Sequence, residues 1–143
     1  MDLIVFLSDW TLKYLKNKDL VLNRIESMEP LKGDFRFKII FKDGEQLVTC
    51  CAKLGSVKGI LEKKDKFISC WVTVINSKDN FNFLLNNWEF FIGYINLTLC
   101  FLNPFSMREL KWVVKPSAHN LVSEESSLAG GLKAIADNVD LVG

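Results

Sequence analysis

The sequence has few of the residues that most often point to an activity. Its 143 residues include one histidine and three prolines, and 18 Lys and Arg nearly cancel 17 Asp and Glu. A chain with a formal charge of +1 has no overall field that would draw it to nucleic acid or to an anionic membrane. The segment GSVKG at 55–59 lacks both G-x-G-x-x-G and a G-K-[ST] ending, so the common phosphate-binding loops are excluded.

Long hydrophobic runs are also missing. The apolar stretch at 90–102 is interrupted by a glycine and an asparagine and is too short to cross about 30 Å of hydrocarbon. The first apolar run, 3–7, lies between Asp2 and Asp9, unlike the positive region and longer apolar core of a signal peptide. The sequence therefore predicts no membrane partner and a cytoplasmic location.

The four cysteines form no metal-binding or redox motif. Cys50, Cys51, Cys70 and Cys100 contain no C-x-x-C pair, so neither a zinc knuckle nor a thioredoxin-type centre is indicated. All four fall in apolar, strand-like runs, where free cysteine behaves as a small hydrophobe. We expect buried thiols and neither metal nor cofactor. The alternative is a thiolate site built from neighbouring strands, with His119 as its one available imidazole.

The composition that remains is that of one globular domain. Hydrophobic residues make up 49% of the chain, and 11 Phe, 4 Trp and 2 Tyr supply much of the apolar surface. A chain of this length can bury roughly 68–70% of its unfolded surface without help from metals or disulfides. No repeat, low-complexity segment or linker divides the sequence, so residues 1–143 are expected to fold as a single domain.

The first part of the chain predicts a helix followed by an antiparallel meander. Apolar residues recur at helical spacing over 2–17. Residues 20–29 fit either a helix or a strand, and we predict a strand. The run 35–42 alternates apolar and basic side chains, which is typical of a half-buried strand. Asp43-Gly44 then joins it to a third strand, because a D-G step between two β patterns is a strong hairpin signal.

The middle of the chain predicts a strand-helix-strand unit. Residues 54–66 hold two glycines and a run of charge, so we expect a loop with at most one helical turn. The runs 67–75 and 97–102 are apolar on both faces, as in central strands. Between them, Ser77 or Asp79 can cap a helix. A right-handed crossover would make the two strands parallel.

The last third predicts a short strand and a final helix. The strand 111–114 is closed by Pro116. Ser123 is the expected N-cap of the helix, with two glutamates after it at the positive end. Gly130-Gly131 within this helix suggests close packing against another backbone or a late helix start. The predicted fold is α+β, a mixed sheet with an N-terminal antiparallel meander, a strand-helix-strand unit and helices packed on the sheet.

Candidate binding residues follow the two central strands. Ligands of open sheets with parallel strands bind beyond the carboxyl ends of those strands, which selects Asn76 and Ser77 after the first and Asn103 after the second. The N–H groups of the following helix would suit an anion. The alternative is structural, namely helix capping and an Asn-Pro turn.

A second candidate lies in the segment KPSAHN. Lys115 and His119 are four residues apart, and a histidine near its ordinary pKa can act as a general base or contact a phosphate. The alternative is a surface or capping histidine. If both candidates are correct, Asn76, Asn103, Lys115 and His119 converge on one cleft.

Basic residues on the meander give a third candidate. Arg36, Lys38 and Lys42 share one face of the second predicted strand. Such a row is usually a solvated sheet face and less often a phosphate-contacting patch. With a net charge of +1, the solvated face is favoured, so nucleic acid stays a possible partner that the sequence does not favour.

The order of the predicted elements resembles that of restriction-endonuclease-like nucleases. That family has an acidic residue on one meander strand and Glu-x-Lys on the next, where this chain has Glu45-Gln46-Leu47 without the lysine. The resemblance concerns element order and implies a nucleic-acid-processing enzyme.

No motif names an activity, and two classes of function remain. The first is a non-catalytic binding or interaction module, with an unknown protein partner or a second copy of the chain, suggested by the apolar segments near Trp10, Trp88 and Trp112. The second is a hydrolase or nucleic-acid-processing enzyme with the cleft described above. We predict the first.

Overall fold

The computed structural model describes residues 2–122 and 127–142. The helices are α1 (Leu3–Asp19), α2 (Leu54–Leu61), α3 (Lys78–Asn86), α4 (Trp88–Ile92), α5 (Pro116–Val122) and α6 (Leu128–Ala136). The strands are β1 (Ile25–Pro30), β2 (Phe37–Phe41), β3 (Gly44–Cys50), β4 (Cys70–Ile75), β5 (Leu97–Leu102) and β6 (Lys111–Val114).

The six strands form one mixed sheet in which spatial order follows chain order. The meander β1-β2-β3 is antiparallel, β3, β4 and β5 are parallel, and β6 returns antiparallel to β5. This confirms the α+β class, the meander and the parallel strand-helix-strand unit. The hairpin between β2 and β3 is also present, although Phe41 pairs with Gly44, so its turn is Lys42-Asp43 rather than Asp43-Gly44.

Helices cover both faces of the sheet, as the alternation of side chains along each strand requires. One face packs against α1, whose buried residues are Leu7, Thr11 and Leu15. The opposite face carries the larger apolar core, to which α2, α3, α4 and α6 contribute. The Asp2 side chain caps α1 by accepting the N–H of Ile4 at 2.9 Å. Leu7 packs with the last residues of β3 and β5, whereas Leu15 packs near the beginning of β4. The N-terminal half of α1 therefore lies near the carboxyl ends of the parallel strands and its C-terminal half near their amino ends.

Residues 54–66 differ from the prediction of a loop, because eight of them form α2. Leu54, Val57 and Leu61 are fully buried and occupy one face of the helix. Burying three such side chains outweighs the cost of about 1 kcal/mol for each of the helix's two glycines. The predicted helix after β4 is interrupted at Asn87, which separates α3 from α4.

The end of the chain also differs from the prediction. Pro116 begins α5 instead of only ending β6, which agrees with the preference of proline for the first helical position. The predicted cap Ser123 lies outside the described residues. The helix α6 begins at Leu128, so Gly130 and Gly131 are in its first turns, and a Cβ on either would meet nothing within 4 Å. A late helix start, not close packing, therefore accounts for the glycine pair.

Within residues 2–122 and 127–142, no helix combines the length and apolar character needed to cross a membrane.

Candidate functional site

Asn76 and Asn103 come together at the carboxyl end of the parallel strands, as their positions predicted. Their amide nitrogens both donate to the backbone carbonyl of Asp140, at 3.1 and 3.0 Å. The Asn76 amide also donates to the carbonyl of Val139 and accepts the indole N–H of Trp112 at 2.9 Å. Both asparagines are buried, so their hydrogen-bonding groups hold the chain's own C-terminal segment.

Asp140 fastens that segment to the loop between β5 and β6. Its carboxylate accepts hydrogen bonds from the Met107 N–H at 2.8 Å, the Arg108 Nε at 2.9 Å and the Ser106 hydroxyl at 3.1 Å. The Met107 N–H and then the Arg108 guanidinium lower the pKa of the Asp140 carboxyl. The segment therefore occupies the edge where a ligand was expected.

Ser77 is the N-cap of α3, where its hydroxyl accepts the N–H of Asn80 at 3.1 Å. This hydrogen bond corresponds to helix capping, which the sequence indicated as the alternative to ligand binding. A ligand at Asn76, Ser77 or Asn103 stays a prediction.

Lys115 and His119 lie at the other end of the sheet. In the antiparallel register Leu102 pairs with Lys111 and Leu99 with Val114. The four residues of β6, at about 3.3 Å each, therefore separate Lys115 from the Asn103 end by about 13 Å. The structure does not bring these four residues into one cleft.

His119 packs against the core and does not line a cleft with Lys115. Its ring meets the Trp88 ring edge-on, with centroids 5.9 Å apart. Its Nε2 is buried and is the one such side-chain atom without a hydrogen-bond partner in the described part of the chain.

The tryptophans proposed to mark an interaction surface belong mainly to the core. Trp88 and Trp112 are 5% and 4% exposed, and Trp10 is half-buried, so these side chains do not themselves form an exposed apolar patch. An interaction surface near them stays a prediction. Large apolar side chains are exposed elsewhere, among them Phe105 and Met107 in the β5–β6 loop, at 82% and 93% exposure.

The basic face of β2 is partly neutralised by its neighbours. The Lys38 ammonium lies 3.8 Å from the Glu29 carboxylate and 3.7 Å from that of Glu45. Glu45, the acid of the Glu-x-Lys comparison, is thus in a cross-strand ion pair at the hairpin.

The cysteines are free thiols, three of them buried and Cys51 half-buried. Burial raises the pKa of Cys70 and of Cys100 to about 12, so these two are inert thiols at neutral pH, as predicted. In the described ranges, 2–122 and 127–142, no three His, Cys, Asp or Glu side chains are grouped so as to hold a metal ion.

An open recess lies at the amino ends of β4 and β5, between the sheet and the last turn of α1. Its volume is about 190 Å³. We call it the amino-end recess. Its lining residues are Leu15, Lys18, Asp19, Leu22, Arg24, Ile25, Ile39, Phe41, Gln46, Trp71, Thr98, Val113 and Lys115. Of the predicted site residues, Lys115 is the one that belongs to it.

The floor of the recess is held in place by buried hydrogen bonds. The Trp71 indole N–H donates to the Thr73 hydroxyl at 2.9 Å, which lies 2.7 Å from the Thr11 hydroxyl. Thr11 donates its own proton to the carbonyl of Leu7 at 2.8 Å. Since Thr11 has one proton, Thr73 must donate to Thr11, and both hydroxyls are then satisfied. This network fixes the orientation of the Trp71 ring.

Thr98 pairs with Trp71 across the strands but differs from Thr73 in its contacts. It is 4% exposed, yet its hydroxyl has no hydrogen-bond partner among residues 2–122 and 127–142. The oxygen is not sealed in the core either, since His119 Nε2 is the described chain's one buried, unpartnered polar side-chain atom. The hydroxyl therefore opens into the amino-end recess, where Gln46 adds a second side chain without an internal hydrogen bond in the described ranges.

Positive charge surrounds the mouth of the recess. The Lys18 ammonium lies 5.9 Å from the centre of the Trp71 ring, and Lys115 has no carboxylate partner within the part of the chain that is described. Arg24 is paired with Asp43 at 3.2 Å. The carboxylate in the lining, Asp19, accepts the N–H groups of Arg24 and Ile25 at 2.8 and 2.9 Å.

Sequence reasoning missed Trp71, Thr98 and Gln46. A signal was available in β5, where Thr98 is a polar residue inside the apolar run 97–102. That signal is weak, because the threonines at 49 and 73 also lie in strands and are satisfied by the chain itself.

The architecture is that of an α+β domain with one mixed sheet between helices, and comparison with known families, curated proteins and solved structures finds no significant match.

Proposed function

We propose that the protein is a non-catalytic binding module and that the amino-end recess holds its ligand. The observation that carries the proposal is the hydroxyl of Thr98, a residue that is 4% exposed and whose side chain has no hydrogen-bond partner within the described residues. Because this hydroxyl opens into the recess, its partner there is water in the absence of a ligand. A ligand in the recess would take the place of that water and form a direct hydrogen bond with the hydroxyl.

The size of the recess favours a small ligand. Binding sites for drug-sized molecules are typically about 300–1,000 Å³, whereas this recess is about 190 Å³. Its ligand is accordingly closer to a single ring than to a nucleotide.

The test is an NMR titration of the ¹⁵N-labelled protein with neutral, cationic and anionic fragments no larger than indole. The proposal expects at least one fragment to shift the Trp71 indole and Thr98 amide signals. Leu22→Trp, which enlarges an exposed side chain of the lining, should abolish these shifts. Val21→Trp is the matched control, because Val21 is an exposed neighbour outside the lining. Failure of every fragment to move these signals would overturn the proposal.

We further propose that the protein works in the cytoplasm. The four free thiols support this location, because unpaired cysteines persist in reducing compartments.

Self-association is a second candidate, favoured by the loop between β5 and β6. Phe105 and Met107 are highly exposed, although Asp140 holds their loop through three hydrogen bonds. A fixed loop that presents large apolar side chains is typical of an interaction site. Sedimentation velocity over a dilution series would detect a dimer that Phe105→Ser dissociates and that Leu121→Ser, equally exposed elsewhere, leaves intact. A monomer at every concentration would remove this candidate.

A further inference from the structure

We infer that the amino-end recess selects a compact monocarboxylate with an apolar body, such as a small aromatic acid. This inference rests on the proposed function and names the ligand's chemical class. It follows from three properties of the lining, namely its apolar floor, its unpaired polar groups and the charge at its mouth.

The floor fits a flat apolar body. Leu15, Ile39 and Trp71 are all buried, and the Trp71 indole is held by Thr73. Above this fixed floor, the exposed Leu22 and the half-buried Ile25 and Phe41 supply the apolar surface from which a planar ring in the recess would displace water. The stabilisation from such burial is about 25 cal/mol per Å², and a fixed floor avoids the entropy cost of ordering it on binding.

The polar groups lie together on one side of the recess. Leu99 pairs with Val114, so continuing the same register brings Lys115 opposite Thr98. Thr98 and Lys115 are thus neighbours on the face of the sheet that lines the recess. The first has a hydroxyl that can donate a hydrogen bond, and the second has an ammonium that can only donate. A carboxylate accepts from both groups, and such charge-assisted hydrogen bonds are about twice as strong as neutral ones.

The charge at the mouth favours an anion but limits it to a single charge. Arg24 is already paired with Asp43, but Lys18 and Lys115 still outnumber Asp19 in the lining, which disfavours a cationic ligand. Against these cations stand the Asp19 carboxylate and the C-terminal end of α1, which carries partial negative charge. No helix N-terminus or glycine-rich loop lines the recess in the described residues, so the usual donors for a phosphate dianion are missing. A monocarboxylate suits this balance better.

The experiment compares benzoate with benzamide, its neutral analogue of the same shape. Dissociation constants come from NMR titrations that follow the Trp71 indole and the Thr98 amide. We expect benzoate to bind at least about tenfold more tightly than benzamide, the factor that corresponds to one charge-assisted hydrogen bond. Lys115→Met should weaken benzoate binding by about tenfold and leave benzamide binding unchanged, whereas Lys115→Arg should retain both.

Lys111→Met is the matched control. Lys111 is on the same edge of the sheet, but its ammonium lies 4.8 Å from the centre of the Tyr14 ring and outside the recess lining. Lys111→Met removes the same charge as Lys115→Met. An equal loss of benzoate affinity in both variants would therefore show that positive charge on the protein attracts benzoate without a specific contact, and it would overturn the inference. Equal affinities for benzoate and benzamide would also overturn it while leaving the binding module standing. Loss of every fragment signal would instead remove the proposed function itself.

Discussion

The polar side chains at the two ends of the sheet differ in whether the chain itself supplies their hydrogen-bond partners. At the carboxyl end, Asn76 and Asn103 are both bonded to the C-terminal segment, and Asp140 fastens the adjacent loop. At the amino end, Thr98 and Lys115 have no partner within residues 2–122 and 127–142. The first end resembles a ligand site by its position in the topology, and the second by its chemistry.

This difference shows that position alone does not identify a site. The carboxyl edge of parallel strands often binds ligands because strand ends leave polar groups free there. In this protein the chain itself satisfies those groups. The unpaired groups are found instead beside Trp71, where the last turn of α1 leaves the sheet uncovered.

The largest effect is expected from Asn76→Ala at the carboxyl end. The substitution removes three hydrogen bonds and leaves the Trp112 indole N–H and a backbone carbonyl without their partner. Two or more such losses in a buried position should lower the free energy of unfolding by about 3–5 kcal/mol. Urea denaturation measures this change. Asn82→Ala is the control, since Asn82 is exposed beside the same segment, and an equally small effect of both substitutions would contradict the structural role of Asn76.

Thr73→Val should come next in size. The two side chains have nearly the same shape, but valine cannot accept the Trp71 N–H or bond to Thr11. We expect a loss of about 2–3 kcal/mol in the free energy of unfolding, together with an altered environment of the Trp71 indole in the NMR spectrum. An unchanged indole signal would show that the network does not fix the floor of the recess.

The Asp140 contacts predict a smaller, pH-dependent effect. The pKa of Asp140 is lower in the folded protein than its ordinary value, so the unfolded state binds more protons in the acid range and stability rises with pH there. The contribution is complete above the ordinary carboxyl pKa and is lost as the pH falls through the lowered value. The free energy of unfolding can be measured by urea denaturation at several values between roughly pH 2 and 5. It should rise less steeply with pH for Asp140→Asn than for the original chain. Parallel curves for the two proteins would contradict the lowered pKa.

Local patterns were sufficient to predict much of the fold. Alternating side chains along 35–42 and apolar runs at 67–75 and 97–102 identified the meander strand and the parallel pair, because each pattern depends on neighbours in sequence. The helix α2 was missed since its two glycines and charged tail outweighed Leu54, Val57 and Leu61 in the pattern, whereas burial decides in the folded chain.

The site was harder to predict because the partners of polar groups are distant in sequence. Asn76 bonds to residues 63 and 64 positions away, and no local pattern shows that its amide is satisfied. Thr73 and Thr98 have the same side chain in similar apolar runs, and the difference between them depends on whether α1 lies above them. Lys115 was identified from its spacing to His119, which is not the reason it lines the recess.

The measurement that tests the central claim most directly is the change in the free energy of unfolding for Thr98→Val. The substitution is the same as in Thr73→Val and falls in the neighbouring strand. If the Thr98 hydroxyl is bonded only to water in the absence of ligand, Thr98→Val loses no hydrogen bond within the protein, and the variant should be as stable as the original chain or more stable by up to about 1 kcal/mol. It should also bind benzoate more weakly. A loss of stability comparable to that of Thr73→Val would show that the hydroxyl is satisfied by the fold, and would contradict the account of the amino-end recess.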